Sequence, residues 1–547
     1  MAASATRVEQ TRQDTSSART VVRLRRGALA VAGGGLLYVG HPPLDLGWTG
    51  LVALVPLLSL ARDVGREQRA VRAGLAWGLL AGLVFFGPLL SWLFPFGVIA
   101  WVLLVLIEGA SLAGFVAGVG WWGERRGRAA FAVVLWVALE ALRSVWPLGG
   151  FGWGVLGYTQ HAGGLFLPVA RSLGVLGISA VLAALAACVE EAGVRVVRSL
   201  RAGGADADAV FSAARTPLLV ALSVLVAAVL LAGEPPAPSG RTLDIAAVQA
   251  SETQFTGAAG APTVARLDPN RIVQVAGRVL EATRPLAANP PTVTIWPENT
   301  LDDDYTDPQN TQIRATVAEG LLLLKGNTLI ADALLDGPRP GTLRHALVQI
   351  APDGSVTDLY MKRKLVPFGE YVPFRRWLGG FPPLEQVPSD QIPGNEPGVF
   401  DVAGARLGMV SCYENLFPEL VYSEVRAGAD ALVVTTNNTS FGHSPMSRQH
   451  LAISQLRAVE TGRWVLHAGL SGISGIIDPQ GGVHQRTVQF EQAIVRDRLP
   501  LVTGRTPAIL LARWPAWAAV SLASLALVTR LLGNLAKRPR AHDRSCS

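Results

Sequence analysis

The sequence predicts a two-part fold: a polytopic α-helical membrane domain of eight spans, joined to a layered α/β domain outside the bilayer. Three observations predict it. Of 547 residues, 50% are hydrophobic and 16% are charged, whereas a soluble domain carries nearer a quarter charged residues. The apolar residues form long runs before residue 234 and again after residue 506. Between them charges return, and short β-like runs alternate with helical ones, as in a layered α/β domain.

The spans follow in chain order. From Gly27 to Ala61 there is no Lys or Arg, and Asp45 is the only acid; the His41-Pro42-Pro43 break divides this stretch into spans at 21–40 and 46–61. Residues 73–123 carry a single charge, Glu108, and are too long for one crossing of about 20 residues. The Trp92-Leu93-Phe94-Pro95-Phe96 segment divides them in two. Further spans are expected at 129–146, 166–189, 216–233 and 507–529. Basic clusters separate them: Arg23, Arg25 and Arg26; Arg62, Arg66, Arg69 and Arg72; Arg125, Arg126 and Arg128; Arg195, Arg198, Arg201 and Arg215; and Lys537, Arg538 and Arg540. With eight spans every cluster falls on one side, which the positive-inside rule makes cytoplasmic.

The expected division is a cytoplasmic basic tail at 1–26, seven spans within 27–233, an extracytoplasmic catalytic domain at 241–500, an eighth span at 507–533 and a cytoplasmic tail at 534–547. The net charge of +7 forms no single basic patch, which argues against nucleic acid. Three cysteines are too few for a disulfide framework, and no CxxC or His-rich spacing marks a metal site. Glu140 and Arg143, three apart on one helix face, are expected to pair within their span, as intramembrane charges do.

In the outer domain, strands are expected at Asp244–Ala250, Thr292–Trp296, Thr328–Leu335, Leu407–Ser411, Ala431–Thr436, 463–469 and 473–478. Residues His345–Ile350 and Ser355–Met361 make a hairpin around Pro352-Asp353-Gly354. Helices are expected at 269–286, 308–324, 417–427 and 445–461, with Gly/Pro-rich loops at 256–263 and 387–398.

Three strand ends carry unusual chemistry. Thr294-Ile295-Trp296-Pro297-Glu298 puts a carboxylate just past a strand, where α/β sheets place ligands. Leu359-Tyr360-Met361-Lys362 continues through Leu365-Val366-Pro367-Phe368-Gly369-Glu370, and Gly408-Met409-Val410-Ser411 runs into Cys412-Tyr413-Glu414. In the expected topology Cys412 is the only thiol of the outer domain, a free thiol outside the membrane. The outer histidines His345, His443, His450, His467 and His484 sit in no protease motif and are expected to be surface or structural. The apolar Phe368–Leu384 segment, with Tyr371, Phe374, Trp377 and Phe381, reads either as an ordinary loop tucked against the domain or, for a lipid substrate, as a lid dipping towards the bilayer.

Glu298 after Trp-Pro, Lys362 in YMKRKLVPFGEYVP and Cys412 in SCYE resemble the Glu-Lys-Cys triad of the carbon–nitrogen hydrolase (nitrilase) superfamily. The LVPFGEYVP segment and the eight spans narrow the resemblance to its membrane-embedded branch, the apolipoprotein N-acyltransferase family. Leu456-Arg457-Ala458-Val459-Glu460 and Gly472-Ile473-Ser474 also match family segments. Two family tryptophans are missing: Asn437-Asn438-Thr439-Ser440-Phe441-Gly442 lacks one, and Phe255 is the nearest aromatic to the other.

The resemblance implies a nitrilase-like α-β-β-α sandwich, with neither cofactor nor metal, in a multi-pass protein of the bacterial inner (plasma) membrane. Partners would be a phospholipid acyl donor, a diacylglyceryl-apolipoprotein acceptor and the lipid bilayer, with the chain acting as a monomer. Cys412 would carry the acyl group as a thioester, Glu298 would be the general base, and Lys362 with the Tyr413 backbone N–H would hold the oxyanion. Glu370 and Glu414 would support them, and Tyr371, Phe374, Trp377 and Phe441 would bind substrate. A tethered amidase with the same triad is the nearest rival, but one span would tether it. A transporter would need more intramembrane polar residues than Glu108, Glu140 and Arg143.

Overall fold

The arginine-rich start and apolar continuation of the first run form one long helix, α1 (Ala2–Val39), followed by α2 (Leu54–Val64), α3 (Ala70–Leu89), α4 (Val98–Trp122), α5 (Arg128–Arg143), α6 (Ala170–Arg201) and α7 (Ala207–Leu230). The computed structural model describes residues 2–204, 207–251, 269–378, 380, 384–385 and 387–536. The expected loop at 256–263, Phe255, Phe381, Cys546 and the last basic cluster lie outside the described residues.

Among the described residues, six helical segments are long and apolar enough to cross a membrane: Gly47–Val64, Ala70–Leu89, Val98–Trp122, Leu167–Arg201, Ala207–Leu230 and Trp514–Asn534. The other two expected spans are helical but fall short for physical reasons. The apolar end of α1 is preceded at once by Arg23, Arg25 and Arg26, and α5 has only 16 residues, about 24 Å at 1.5 Å per residue against a hydrocarbon core of about 30 Å.

Close approach holds this bundle. Gly74, Gly78 and Gly82 form one face of α3 against α4, and a Cβ added there would lie 2.5, 2.6 and 2.5 Å from Ala117 Cα, Leu112 O and Gly109 Cα. Small residues four apart let membrane helices pack backbone to backbone. At one end of the bundle, charges bring four of the basic clusters together. Arg26 bonds Asp63 and Glu67; Arg62 bonds Glu124, Glu190 and Glu191; Arg128 joins Glu190, while Arg195 and Arg198 reach Glu191 and Glu124.

The expected Glu140–Arg143 pair does not form. Arg143 instead bonds Glu108 of α4 at 3.0 Å and the carbonyls of Phe151 and Trp153 at 3.3 and 2.5 Å; Glu140 accepts the Leu156 N–H at 2.8 Å. The reason is that the chain after α5 turns back, and its backbone groups compete for both side chains. Together they fix the 146–156 loop, which reaches the outer domain.

That domain contains β1 (Pro238–Gln249), α8 (Pro269–Thr283), β2 (Val293–Leu301), α9 (Thr311–Leu323), β3 (Thr328–Asp336), β4 (Thr342–Ile350), β5 (Val356–Met361), α10 (Arg375–Leu378), β6 (Asp390–Gln391), β7 (Val399–Val402), β8 (Ala405–Ser411), α11 (Pro418–Arg426), β9 (Ala431–Thr436), α12 (Met446–Thr461), β10 (Val465–Gly469), β11 (Gly475–Ile477), β12 (Val483–His484) and β13 (Ala493–Val502). A short α13 (Pro507–Leu511) leads into α14 (Trp514–Ala536). One sheet has the order β13-β1-β2-β3-β4-β5, with β6 on β4, and the other β12-β11-β10-β9-β8-β7.

Strand alternation builds four layers. Ile245, Ile295, Ile330 and Leu347 of the first sheet face Leu407, Met409, Val433 and Leu466 of the second. The outer face of the first sheet carries α8 and α9 on Val248, Trp296 and Leu329; that of the second packs α11 and α12 on Val410, Leu432 and Val434. The expected strands are present. The sequence reading missed β6, inside the expected 387–398 loop, and β7, β12 and β13. The last of these pairs antiparallel with β1, and its Arg496, Asp497 and Arg498 hide the alternation.

Candidate active site

The triad candidates come from three strands of two sheets, β2 and β5 of the first and β8 of the second, and Glu298 lies inside β2, which runs on past the expected end at Trp296. β1, β2 and β3 run parallel, as do β8, β9 and β10, so β2 delivers Glu298 and β8 delivers Cys412 at carboxyl edges, where α/β sheets leave backbone and side chains free. Lys362 follows β5, and its N–H donates to the His345 carbonyl at 2.8 Å, extending the hairpin by one pair.

Lys362 Nζ donates to Glu298 Oε1 at 3.1 Å and to Glu370 Oε1 at 2.6 Å. Burial works to strip its charge, but the two carboxylates outweigh burial and raise its pKa well above the ordinary lysine value. Burial also disfavours charge on Glu370, yet Lys362 and His345 hold that carboxyl down to about 2. The other oxygen of Glu298 accepts the Asn437 N–H at 2.6 Å, and that of Glu370 accepts the Val366 N–H at 2.9 Å. Both carboxylates are therefore aimed, and Lys362 is an ammonium clamped between them.

Cys412 takes a left-handed backbone, φ 46°, at a cost of about 1–3 kcal/mol for a non-glycine residue. Burial, and then Glu298, push its thiol well above the ordinary value, with Lys362 opposing. The resting sulfur is a thiol beside the Glu298 carboxylate. Glu414 explains how the turn is held. Its Oε2 accepts from Ser411 N and Tyr360 OH at 2.8 and 2.7 Å, and its Oε1 from Arg363 N and Lys364 N at 2.6 and 3.0 Å. One fully buried carboxylate thus ties the cysteine turn to the lysine loop.

Two histidines expected to be surface or merely structural line this site, because strand pairing and helix packing turn them inward. His345 Nε2 lies 2.6 Å from Asp332 Oδ2 and 3.8 Å from Glu298 Oε1, and its Nδ1 lies 3.7 Å from Glu370 Oε1. Burial opposes its charge, but Asp332 outweighs burial and holds its pKa at about 10. His450 faces the Cys412 carbonyl at 3.1 Å. His467 is buried as well, whereas His484 is exposed. Carboxylate and imidazole atoms of Glu298, His345 and Glu370 are close enough to hold a metal ion; here the Lys362 ammonium bonds two of the three.

The membrane domain supplies the floor. Tyr413 OH donates to the Gly150 carbonyl at 3.0 Å and Lys364 Nζ to that of Gly149 at 2.9 Å. Gly149 and Gly150 have φ of 92° and 88°, and a Cβ on Gly150 would come within 2.1 Å of the Ser144 backbone. Phe151 stacks between Tyr413 and Trp153, and Phe441 packs edge-on against Trp92 at 5.2 Å. Phe374 and Trp377 stack on each other and are exposed, 61% and 71%. Tyr371 is half-buried in the same loop, beside its bridge to Pro367.

Helix α12 joins the two domains. Gln449 accepts from the Trp92 and Trp153 indoles at 3.1 and 2.6 Å and donates to the Pro42 and Leu89 carbonyls at 3.0 and 3.1 Å. Arg457 bonds Glu460 and Tyr158, and Glu460 accepts the Val175 N–H at 2.7 Å, where the kink at Gly174 frees a helix N-terminus.

Comparison with known proteins divides the chain into an N-terminal part and a carbon–nitrogen hydrolase part. The apolipoprotein N-acyltransferase N-terminal domain model matches residues 33–188, and the carbon–nitrogen hydrolase model matches residues 272–505. Apolipoprotein N-acyltransferase of Azotobacter vinelandii is 30% identical over 537 residues, covering 93% of this chain and 95% of that protein. The chain belongs to the apolipoprotein N-acyltransferase family. The Pseudomonas paraeruginosa member is also 30% identical, over 94% of this chain and 97% of its own length. A solved amidase from Nesterenkonia sp. is 19% identical over 49% of this chain and 93% of its own, with a TM-score of 0.33. Within the family's membrane part, the loop at Gly149 and Gly150 is the segment that meets the outer domain's Tyr413 and Lys364.

Proposed function

We propose that this chain is an N-acyltransferase that moves a fatty acyl chain from a membrane phospholipid to the N-terminal α-amino group of S-diacylglyceryl-cysteine in apolipoproteins. The observation that carries the reading is the convergence of Glu298 and Lys362 from one sheet with Cys412 from the other, beside aromatics carried on the loops that connect the membrane helices. An amidase acting on a small soluble substrate has no use for those aromatics.

In the first half-reaction the Cys412 sulfur attacks the donor ester carbon while its proton passes to Glu298. Two of the three Lys362 N–H donors are spent on carboxylates, and the third faces the developing oxyanion with the Tyr413 backbone N–H. Glu298 returns the proton to the leaving alcohol, and the acyl group stays on sulfur as a thioester. In the second half the α-amine attacks the thioester carbon, gives a proton to Glu298, and the carbon–sulfur bond breaks. Tyr371, Phe374 and Trp377 form an apolar lid over the lipid, and Phe441 lines the floor. Glu370 orients Lys362, and Glu414 acts through the turn that it ties.

Eight crossings, including the short α1 and α5 segments, divide the chain as a tail at 1–26, seven spans in 27–233, a catalytic domain at 241–500, a span at 507–533 and a tail at 534–547. The gathering of four basic clusters at one bundle end supports a cytoplasmic position for them, and so an extracytoplasmic catalytic domain on the inner (plasma) membrane. The chain works as a monomer. Incubation with phospholipid alone should add one fatty-acyl mass to the peptide containing Cys412, removable by hydroxylamine. An acyl mass elsewhere, or none in a protein that still transfers, overturns the thioester route.

A further inference from the structure

Beneath the proposed nucleophile lies a side chain that the triad chemistry leaves unused. Thr436 ends β9, fully buried, with its Oγ1 3.3 Å from Cys412 Sγ, 3.0 Å from Asn438 Oδ1 and 3.3 Å from His450 Nδ1. A hydroxyl has one proton to give, so these three acceptors compete for it.

The neighbours fix which states are open. His450 Nε2 faces two acceptors, the Cys412 carbonyl at 3.1 Å and Asn415 Oδ1 at 3.0 Å. The Asn415 amide is oriented by its own donation to Ser454 Oγ at 2.9 Å. Nε2 must therefore carry hydrogen, which leaves Nδ1 as an acceptor. Burial pushes His450 down to about 4, so the ring is neutral at working pH and is no imidazolium partner for the sulfur.

We propose that Thr436 is a further catalytic residue, whose hydroxyl turns from its resting acceptors to the Cys412 sulfur whenever that sulfur carries negative charge. His450 is the positioning residue: it offers the resting acceptor and holds the Cys412 carbonyl in the left-handed turn. The Thr436 proton never leaves its oxygen; the thiol proton goes to Glu298. A bond to an ionised acceptor is about twice as strong as a neutral one, which is why the sulfur wins the proton only once it is charged. The same donor steadies the departing thiolate when the amine cleaves the thioester. Besides Thr436, the groups acting on the sulfur are Glu298 from β2 and Lys362 after β5; Glu370 lies behind Lys362 and His450 comes from α12.

The inference rests on Cys412 as nucleophile, but its test does not need acyl transfer. The full-length protein in detergent is alkylated with iodoacetamide across pH, and modification is read on the Cys412 peptide. Thr436→Val should raise the apparent midpoint by about one pH unit, slowing alkylation about tenfold below it while leaving the high-pH plateau unchanged; Thr436→Ser should restore the wild-type curve. If the valine variant does not fold, Thr436→Ala should give the same shift. His450→Gln removes an acceptor that competes with the sulfur, so alone it should lower the midpoint, and it should add nothing in the Thr436→Val background. An unshifted midpoint, a serine variant shifted as far as valine, or a curve lowered equally at every pH overturns the role of Thr436. Full additivity overturns that of His450. Failure of Cys412 to acylate in the wild type would instead remove the proposed function and leave the alkylation result standing.

Discussion

At the scale of single residues, the decisive feature is one ammonium between two aimed carboxylates. Lys362→Met would remove the ammonium between Glu298 and Glu370 and leave the His345 imidazolium, 3.8 and 3.7 Å from their oxygens, as the cation beside them. Transfer should fall about 10²–10³-fold in both half-reactions, the usual cost of losing an oxyanion donor. Glu298→Gln acts differently. It removes both the proton acceptor and the negative charge that helps to push the thiol up, so alkylation of Cys412 should come to depend on proton loss to solvent. Its rate should climb about tenfold per pH unit up to the thiol pKa, with a flatter wild-type curve, while acyl transfer is lost. Equal profiles would mean that Glu298 is not the acceptor. Glu370 bears on acid stability. Its folded pKa of about 2 lies below the ordinary carboxylate value, so its contribution is full above that value and is lost as pH falls through about 2. Glu370→Gln should lower stability near neutrality, while the difference from wild type shrinks towards pH 2 in urea titrations. The segments that carry the proposed triad and Glu370 were legible in the sequence. His345 was nearly so: Ala346 pairs with Met361, so a hairpin folded at Pro352-Asp353-Gly354 sets His345 opposite Lys362. His450 gave no such signal, because only the packing of α12 on the second sheet turns it towards Cys412.

At the scale of elements, α12 is the key. Its Ser447, Gln449, His450, Ser454, Gln455, Arg457 and Glu460 are all buried, which the polar composition of the expected 445–461 helix did not signal. They are buried because one side packs on the second sheet and the other enters the membrane bundle. Gln449→Leu should strand two indole N–H groups and two carbonyls; at about 1–3 kcal/mol for each unsatisfied group, the loss should exceed about 2 kcal/mol. A clearly lower thermal midpoint in detergent is expected, and an unchanged one would mean that Gln449 does not join the domains. The α3–α4 contact makes the same point by sterics: Gly78→Leu would drive a side chain into the Leu112 and Ala113 backbone and should abolish folded yield. Strand positions followed from alternation in the longer, low-charge strands. They failed at β6, β7 and β12, which have only two to four residues and show no period, and at β13, whose solvent-side arginines mask the period of two.

At the scale of the whole molecule, the two domains make one site. The 146–156 loop, fixed by Arg143 and Glu140, reaches Tyr413 and Lys364, so the membrane part completes the catalytic part. The proposed orientation is testable: a reporter active only in the cytoplasm, fused after Gly240, should be silent, and activity there would reverse the proposed topology. The sequence by itself determined the two-part architecture, the positions of most helices and strands, and the Glu298, Lys362 and Cys412 motifs. These depend on hydropathy, local periodicity and short segments, all of which are properties of neighbouring residues. Tertiary structure alone decided that Arg143 pairs with Glu108 rather than Glu140, that Glu414 ties two loops together, and that Thr436 and His450 lie beneath the sulfur. Each of those contacts joins residues distant in the chain, and which polar groups meet there depends on how sheets, loop and bundle close on one another.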